Sequence, residues 1–170
     1  MLQFLFRRLT RDSRRGAELF AAVAAEARRP HWFIEGEVPD TLDGRFAMLA
    51  TITALVIVRL ERSGEAGDAA SVALTERFIE AMETDHREMG IGDPKLGRTV
   101  RKLVGSLARR VDLWRTAAAG EIPWHDAVRT SVYKGEAAAE ALDHSARELQ
   151  SLWAKLERSE IGALGDGRLS

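Results

Sequence analysis

The chain has 170 residues, 25 basic and 26 acidic side chains, a formal net charge of −1 and no cysteine. That length makes a single domain with a sizeable core, and balanced charge gives no bulk attraction to a polyanion. The missing cysteines exclude a disulfide framework, a thiolate metal site and cysteine catalysis, and agree with a reducing compartment.

The N-terminus, MLQFLFRRLTRDSRR, lacks a secretory signal's order of charge, long apolar run and small-residue cleavage site. Residues 1–29 read as a basic, alanine-rich helix, capped by Ser13, with Ala17, Phe20, Ala21 and Ala24 apolar and Pro30 stopping it. Residues 31–44 read as a loop. An apolar helix follows from Gly44 to Arg62. Its uncharged run, Phe46 to Val58, covers 13 residues, short of the about 20 that cross a bilayer. It reads as a buried core helix of a soluble, intracellular protein, with Met48, Leu49, Ile52, Leu55 and Val56 inside.

The stretch SGEAGDAAS (63–71) reads as a flexible connection. A helix over 71–89 sets Thr75, Phe78, Ile79, Met82, His86 and Met89 on one face, and GIGDP (90–94) breaks it. The next helix, 94–117, buries Leu96, Val100, Leu103, Val104, Leu107, Val111 and Trp114 at helical spacing. Gly120 ends that unit, Pro123 suits the first turn of another helix, and Gly135 divides it from a last one running to Glu157. Residues 161–170 read as a flexible tail. No convincing strand alternation occurs. The predicted fold is all-α: a single-domain multi-helix bundle over 30–160 around a buried apolar central helix.

Charge is balanced in total and segregated along the chain. Residues 65–93 hold eight acids and two arginines; residues 94–116 hold seven bases and one acid. Lys95, Arg98, Arg101, Lys102 and Arg109 fall opposite the apolar stripe and face outward. A charged helix face is ordinarily a solvated one, yet one this one-signed exceeds what solubility requires and keeps an anionic contact in view.

The segment VPDTLDGRFAML (38–49) concentrates turn chemistry at the start of the apolar helix. Asp40 or Thr41 can accept a backbone hydrogen bond there, and Asp43 suits the positive end of the helix dipole. Gly44 lets the chain pass close to neighbouring backbone. Arg45 is expected to meet a carboxylate of its own loop, Asp40 or Asp43, or of the acidic helix over 76–88.

These residues also carry a resemblance. PHWFIEGEVPDTLDGRFAML, followed by ETDHREMGIGDPKLGRTVRKLVGSLARRVDLW, closely resembles the ubiquinol–cytochrome c chaperone family, through one box at 38–46 and a second, REMGIGD, at 87–93. The likeness runs from Pro30 to Gly135, with DAVRTSVYKG (126–135) a looser match. Two departures stand out: a shorter acidic stretch after Ala81-Met82, and Thr130-Ser131 where the family often has Arg-Asn. The resemblance implies a non-enzymatic assembly factor for cytochrome b of the bc1 complex, cytoplasmic or peripheral at the cytoplasmic face of the inner membrane. The implied partners are newly synthesised cytochrome b and, further off, a ribosome or the inner-membrane surface, with no DNA. Asp40, Asp43, Arg45, Arg87, Glu88 and Asp93 are the expected partner-binding residues, at helix ends where side chains are presented without disturbing a core.

Chemistry-bearing constellations are sparse. Glu83 and His86 have the E-x-x-H spacing that di-iron bundles use, but such sites need two motifs and two further glutamates; Glu140 and His144 are spaced by four instead. His31 beside Trp32-Phe33 and His125 beside Trp124 read as structural. No phosphate loop, nucleophile elbow or metalloprotease motif occurs, and no cofactor, metal or catalytic residue is expected. Two other readings stand beside the assembly factor: a helical metal-dependent oxidase built on Glu83 and His86, and a ribosome- or RNA-contacting module using the basic face of 95–110.

Overall fold

The structure, a computed structural model, describes residues 16–88, 90 and 93–169, with the backbone alone at 93 and 94. The cap expected at Ser13, the first half of the 1–29 unit, Met89, Gly92 and the Asp93 side chain therefore lie outside the described residues. The helices are α1 (residues 16–27), α2 (Pro30–Phe33), α3 (Leu42–Glu61), α4 (Gly64–Glu88), α5 (Asp93–Ala118), α6 (Trp124–Val128), α7 (Ala139–Arg158) and α8 (Ile161–Gly165). A five-residue π-helix, Arg129–Tyr133, continues α6 and ends at Lys134 in the left-handed region, φ 56°. No strand occurs among the described residues. The fold is the expected all-α domain, and no described helix is long and apolar enough to cross a membrane.

α3 is the centre. It has no polar stripe, and a helix apolar all round must be covered on every side. α5 and α4 cover it most extensively, the π-helix and α7 on the remaining flank. Met48, Ile52, Leu55 and Val56 are fully buried as expected, and Leu49 is partly covered. Its two buried threonines are satisfied: Thr53 Oγ1 donates to the Leu49 carbonyl at 2.7 Å, and Thr51 meets the Ser131 hydroxyl. At its C-terminal end Arg59 donates to the carbonyls of Leu156 (2.8 Å) and Ser159 (2.9 Å), placing a cation on the carbonyls at the end of α7.

Two expectations are corrected. The connection predicted at 63–71 is instead the first two turns of α4. Gly64 takes a positive φ of 64°, and a Cβ on Gly67 would stand 2.0 Å from the Leu60 carbonyl oxygen. The glycines serve a tight helix-to-helix reversal, and the alanines and acids between them are free to be helical. The tail predicted to be flexible forms α8: Leu164 is fully buried and Leu169 nearly so, both in the same core cluster as Leu19, Val23 and Ala27 of α1. A short apolar pair that finds a groove offsets the ordering entropy that its composition alone does not. Smaller differences are the short helix α2 within the expected loop and the π-helical turn.

A candidate docking groove

The first box is held by its own backbone and by distant side chains. Val38 is buried and its N–H donates to the Trp32 carbonyl at 3.1 Å, while fully buried Trp32 donates from Nε1 to the Glu26 carbonyl (2.9 Å) at the end of α1. The Tyr133 hydroxyl bonds to the Gly36 carbonyl at 2.5 Å and to Ser145 Oγ at 2.7 Å, joining loop, π-helix and α7; burial raises its pKa. Thr41, not Asp40, is the N-cap of α3, its Oγ1 accepting from the Gly44 N–H at 3.2 Å. Asp40 instead takes Arg45 Nε at 2.6 Å, so Arg45 does pair within its own loop. That hydrogen bond holds the Asp40 carboxyl below its ordinary range and raises the Arg45 pKa. Both side chains are 63% exposed. Asp43, in the first turn of α3, faces Lys134 Nζ at 3.4 Å.

Between this loop, the ends of α1 and α4, and the start of α3 lies a groove of about 960 Å³. Phe33, Ile34, Leu42, Phe46, Leu49 and Met82 form its apolar wall and floor, with Leu103 of α5 at one side. Asp40, Asp43, Asp85 and Glu88 set four carboxylates around it, against Arg28 and Arg45. Ile34 and Leu42 are each 69% exposed, two of three large apolar side chains left open to solvent among the described residues. Below the floor, buried Arg110 lies with its guanidinium carbon 5.7 Å from the centre of the Phe46 ring. It donates to the Ser131 carbonyl (2.8 Å) and to Ser106, while Trp114 Nε1 donates to Ser131 Oγ at 3.1 Å. Among the described residues no carboxylate meets it, and burial pushes its pKa down.

The groove brings together four of the six expected partner-binding residues: Asp40, Asp43, Arg45 and Glu88. Arg87 is exposed beside it and outside its lining, and the Asp93 side chain is not among those described. The basic residues Lys95, Arg98, Arg101, Lys102 and Arg109 are exposed on α5 and do not line it. Sequence reasoning missed Ile34, Leu42, Asp85 and Arg110. A signal was present for the first two, since Ile34 and Leu42 are large apolar residues in an otherwise polar, turn-rich segment. Arg110 left a weaker one: it stands three residues after Leu107 and seven after Leu103, on the apolar side of α5.

His86 Nδ1 donates to the Met82 carbonyl at 2.7 Å within its own helix. Among the described residues no three His, Asp or Glu side chains converge as a metal-ligand set. A second cavity, about 770 Å³, opens between the first box and residues 129–138; its cations are already engaged, Arg129 with Asp126 and Lys134 with Asp43.

The domain is all-α and carries an apolar groove edged by carboxylates. The chain matches the family described as Ubiquinol-cytochrome C chaperone over residues 35–168 and belongs to it. It is a non-enzymatic chaperone of the ubiquinol–cytochrome c system. The match extends past Gly135, where the resemblance read from the sequence stops, and takes in α7 and α8. The crystal structure of the Cbp3 homolog from Brucella abortus has the same fold: TM-score 0.82, 23% identity, covering 100% of this chain and 96% of that one. No curated protein matches the chain.

Proposed function

We propose that the chain is an assembly chaperone for cytochrome b of the bc1 complex, and that the groove between the two boxes receives an apolar client segment. The observation that carries this reading is the pair Ile34 and Leu42, exposed within a groove edged by Asp40, Asp43, Asp85 and Glu88. Large apolar side chains standing in water on a groove of this size mark a contact surface, and the carboxylates favour a client segment flanked by basic residues. The loop ahead of α3 and the last two turns of α4 present these groups while α3 stays covered.

The test changes Ile34 and Leu42 singly to glutamate in the host and measures assembled bc1 complex by its haem b absorbance, beside the melting temperature of each purified variant. Because both side chains are already exposed, the melting temperature stays close to wild type while assembled complex falls. Normal assembly in both variants would overturn the groove as the client site. The E-x-x-H oxidase reading has no observation in its favour, since among the described residues no three His, Asp or Glu side chains converge around Glu83 and His86.

A further inference from the structure

We propose that the outward face of α5 docks the protein on an anionic phospholipid surface. Lys95, Arg98, Arg101, Lys102 and Arg109 are all exposed. At 3.6 residues per turn they fall within an arc of about 120°, and at 1.5 Å per residue they run about 21 Å along the helix. No acid occurs from 94 to 111, and Asp112 is engaged by Arg115 at 2.7 Å.

Two further observations separate this face from an ordinary solvated one. First, its cations are unpaired. Arg29, Arg45, Arg62, Arg115 and Arg129 each hold a carboxylate, whereas none of the five cations on α5 has an ion-pair or hydrogen-bond partner among the described residues. Acid-rich α4 packs directly against α5, yet no ion pair joins the two among the described residues. The like charges stand beside each other uncompensated. Second, nothing bulky interrupts the row: at 3.6 residues per turn, Gly105 alone of the other residues from 96 to 108 shares its arc, and it has no side chain.

A bilayer fits this better than single-stranded RNA. Proteins that hold single strands stack bases on aromatic rings, and no Phe, Trp or Tyr among the described residues is exposed. A row of lysine and arginine with no apolar or aromatic contribution matches electrostatic attachment to an anionic leaflet. The inference stands independently of what the groove holds.

The experiment floats the purified full chain with phosphatidylcholine vesicles made with or without phosphatidylglycerol, at low and high salt. The expected result is binding only when phosphatidylglycerol is present, released by salt that shortens the Debye length. The triple variant Arg98→Glu, Arg101→Glu, Arg109→Glu should partition roughly 100-fold more weakly with an unchanged melting temperature. The charge-preserving Arg98→Lys, Arg101→Lys, Arg109→Lys should bind like wild type, and so should Leu42→Glu, which separates this claim from the groove. Failure to bind phosphatidylglycerol vesicles, or equal binding by the charge-reversed variant, would overturn the proposal. So would salt-sensitive binding to RNA, or self-association, that the reversal abolishes while vesicles remain unbound.

Discussion

Gly44 shows how closely the first box is drawn. A Cβ there would lie 1.9 Å from the Pro39 carbonyl oxygen, a contact no side chain tolerates. Gly44→Ala should therefore lever the loop away from α3 and destabilise the protein by about 1–3 kcal/mol, read as a lower melting temperature. Its neighbour Arg45 behaves oppositely. Its one contact to Asp40 is at the surface, and exposed ion pairs contribute little, so Arg45→Lys should leave the melting curve unchanged; a clear fall would show that the pair holds the loop.

The histidines carry a pH dependence. Arg147 donates to His144 Nδ1 at 3.3 Å, which puts the His144 proton on Nε2, 3.1 Å from His31 Nδ1. The His31 proton then sits on Nε2, buried without a partner. A proton added to His31 Nδ1 meets a donor already in place. Burial, then Arg29, lowers the His31 pKa below its ordinary 6.5, with His144 adding to the fall and Glu148 and Glu26 opposing it. The unfolded chain consequently binds the proton more readily. This contribution to stability is full above 6.5, starts to fall as pH drops through 6.5, and is gone below the folded value. Thermal melts from about pH 7 to pH 5 should slope downward, and His31→Gln should flatten that slope; an identical slope in the variant would place the titration elsewhere.

At the scale of elements, α3 and α8 make opposite cases. α3 is enclosed on every side, so Leu55→Asp buries a charge with nothing to pair it, a cost of several kcal/mol comparable with a domain's whole stability. The expected outcome is loss of the helical circular-dichroism signal; a native spectrum would show that α3 is not the centre. α8 is only five residues long, yet Leu164 is fully buried against the rest of the core. Leu164→Ala should cost about 2–5 kcal/mol in a denaturant melt. A cost near zero would restore the flexible tail that the sequence reading expected.

For the whole molecule, the groove is where the first box meets the end of α4. Asp40 and Asp43 stand more than forty residues from Asp85 and Glu88 in the chain, yet all four edge one surface. The acidic groove and the basic outer face of α5 give the molecule two surfaces of opposite sign, although its formal charge is −1. If, as proposed, one surface takes a basic-flanked client and the other an anionic leaflet, charge reversal on either face should affect only its own partner.

Much of this was legible in the residues alone. An uncharged run as long as Phe46–Val58 has no polar side to offer water, so its burial followed from composition, and the turn residues at 39–44 set where α3 begins. The spacing of Leu96, Val100, Leu107 and Trp114 settled which side of α5 faces inward, and with it the outward basic face. Local patterns left three things undetermined, because each depends on what another part of the chain supplies. Arg110 is buried only because Ser131 and Phe46 come to meet it. Residues 161–169 are ordered only because the core leaves a place for Leu164 and Leu169. Ile34 and Leu42 become a groove wall only when α4 sets Met82, Asp85 and Glu88 opposite them. Periodicity reports which side of an element is apolar; only packing decides whether that side is covered by the chain itself or left for something else.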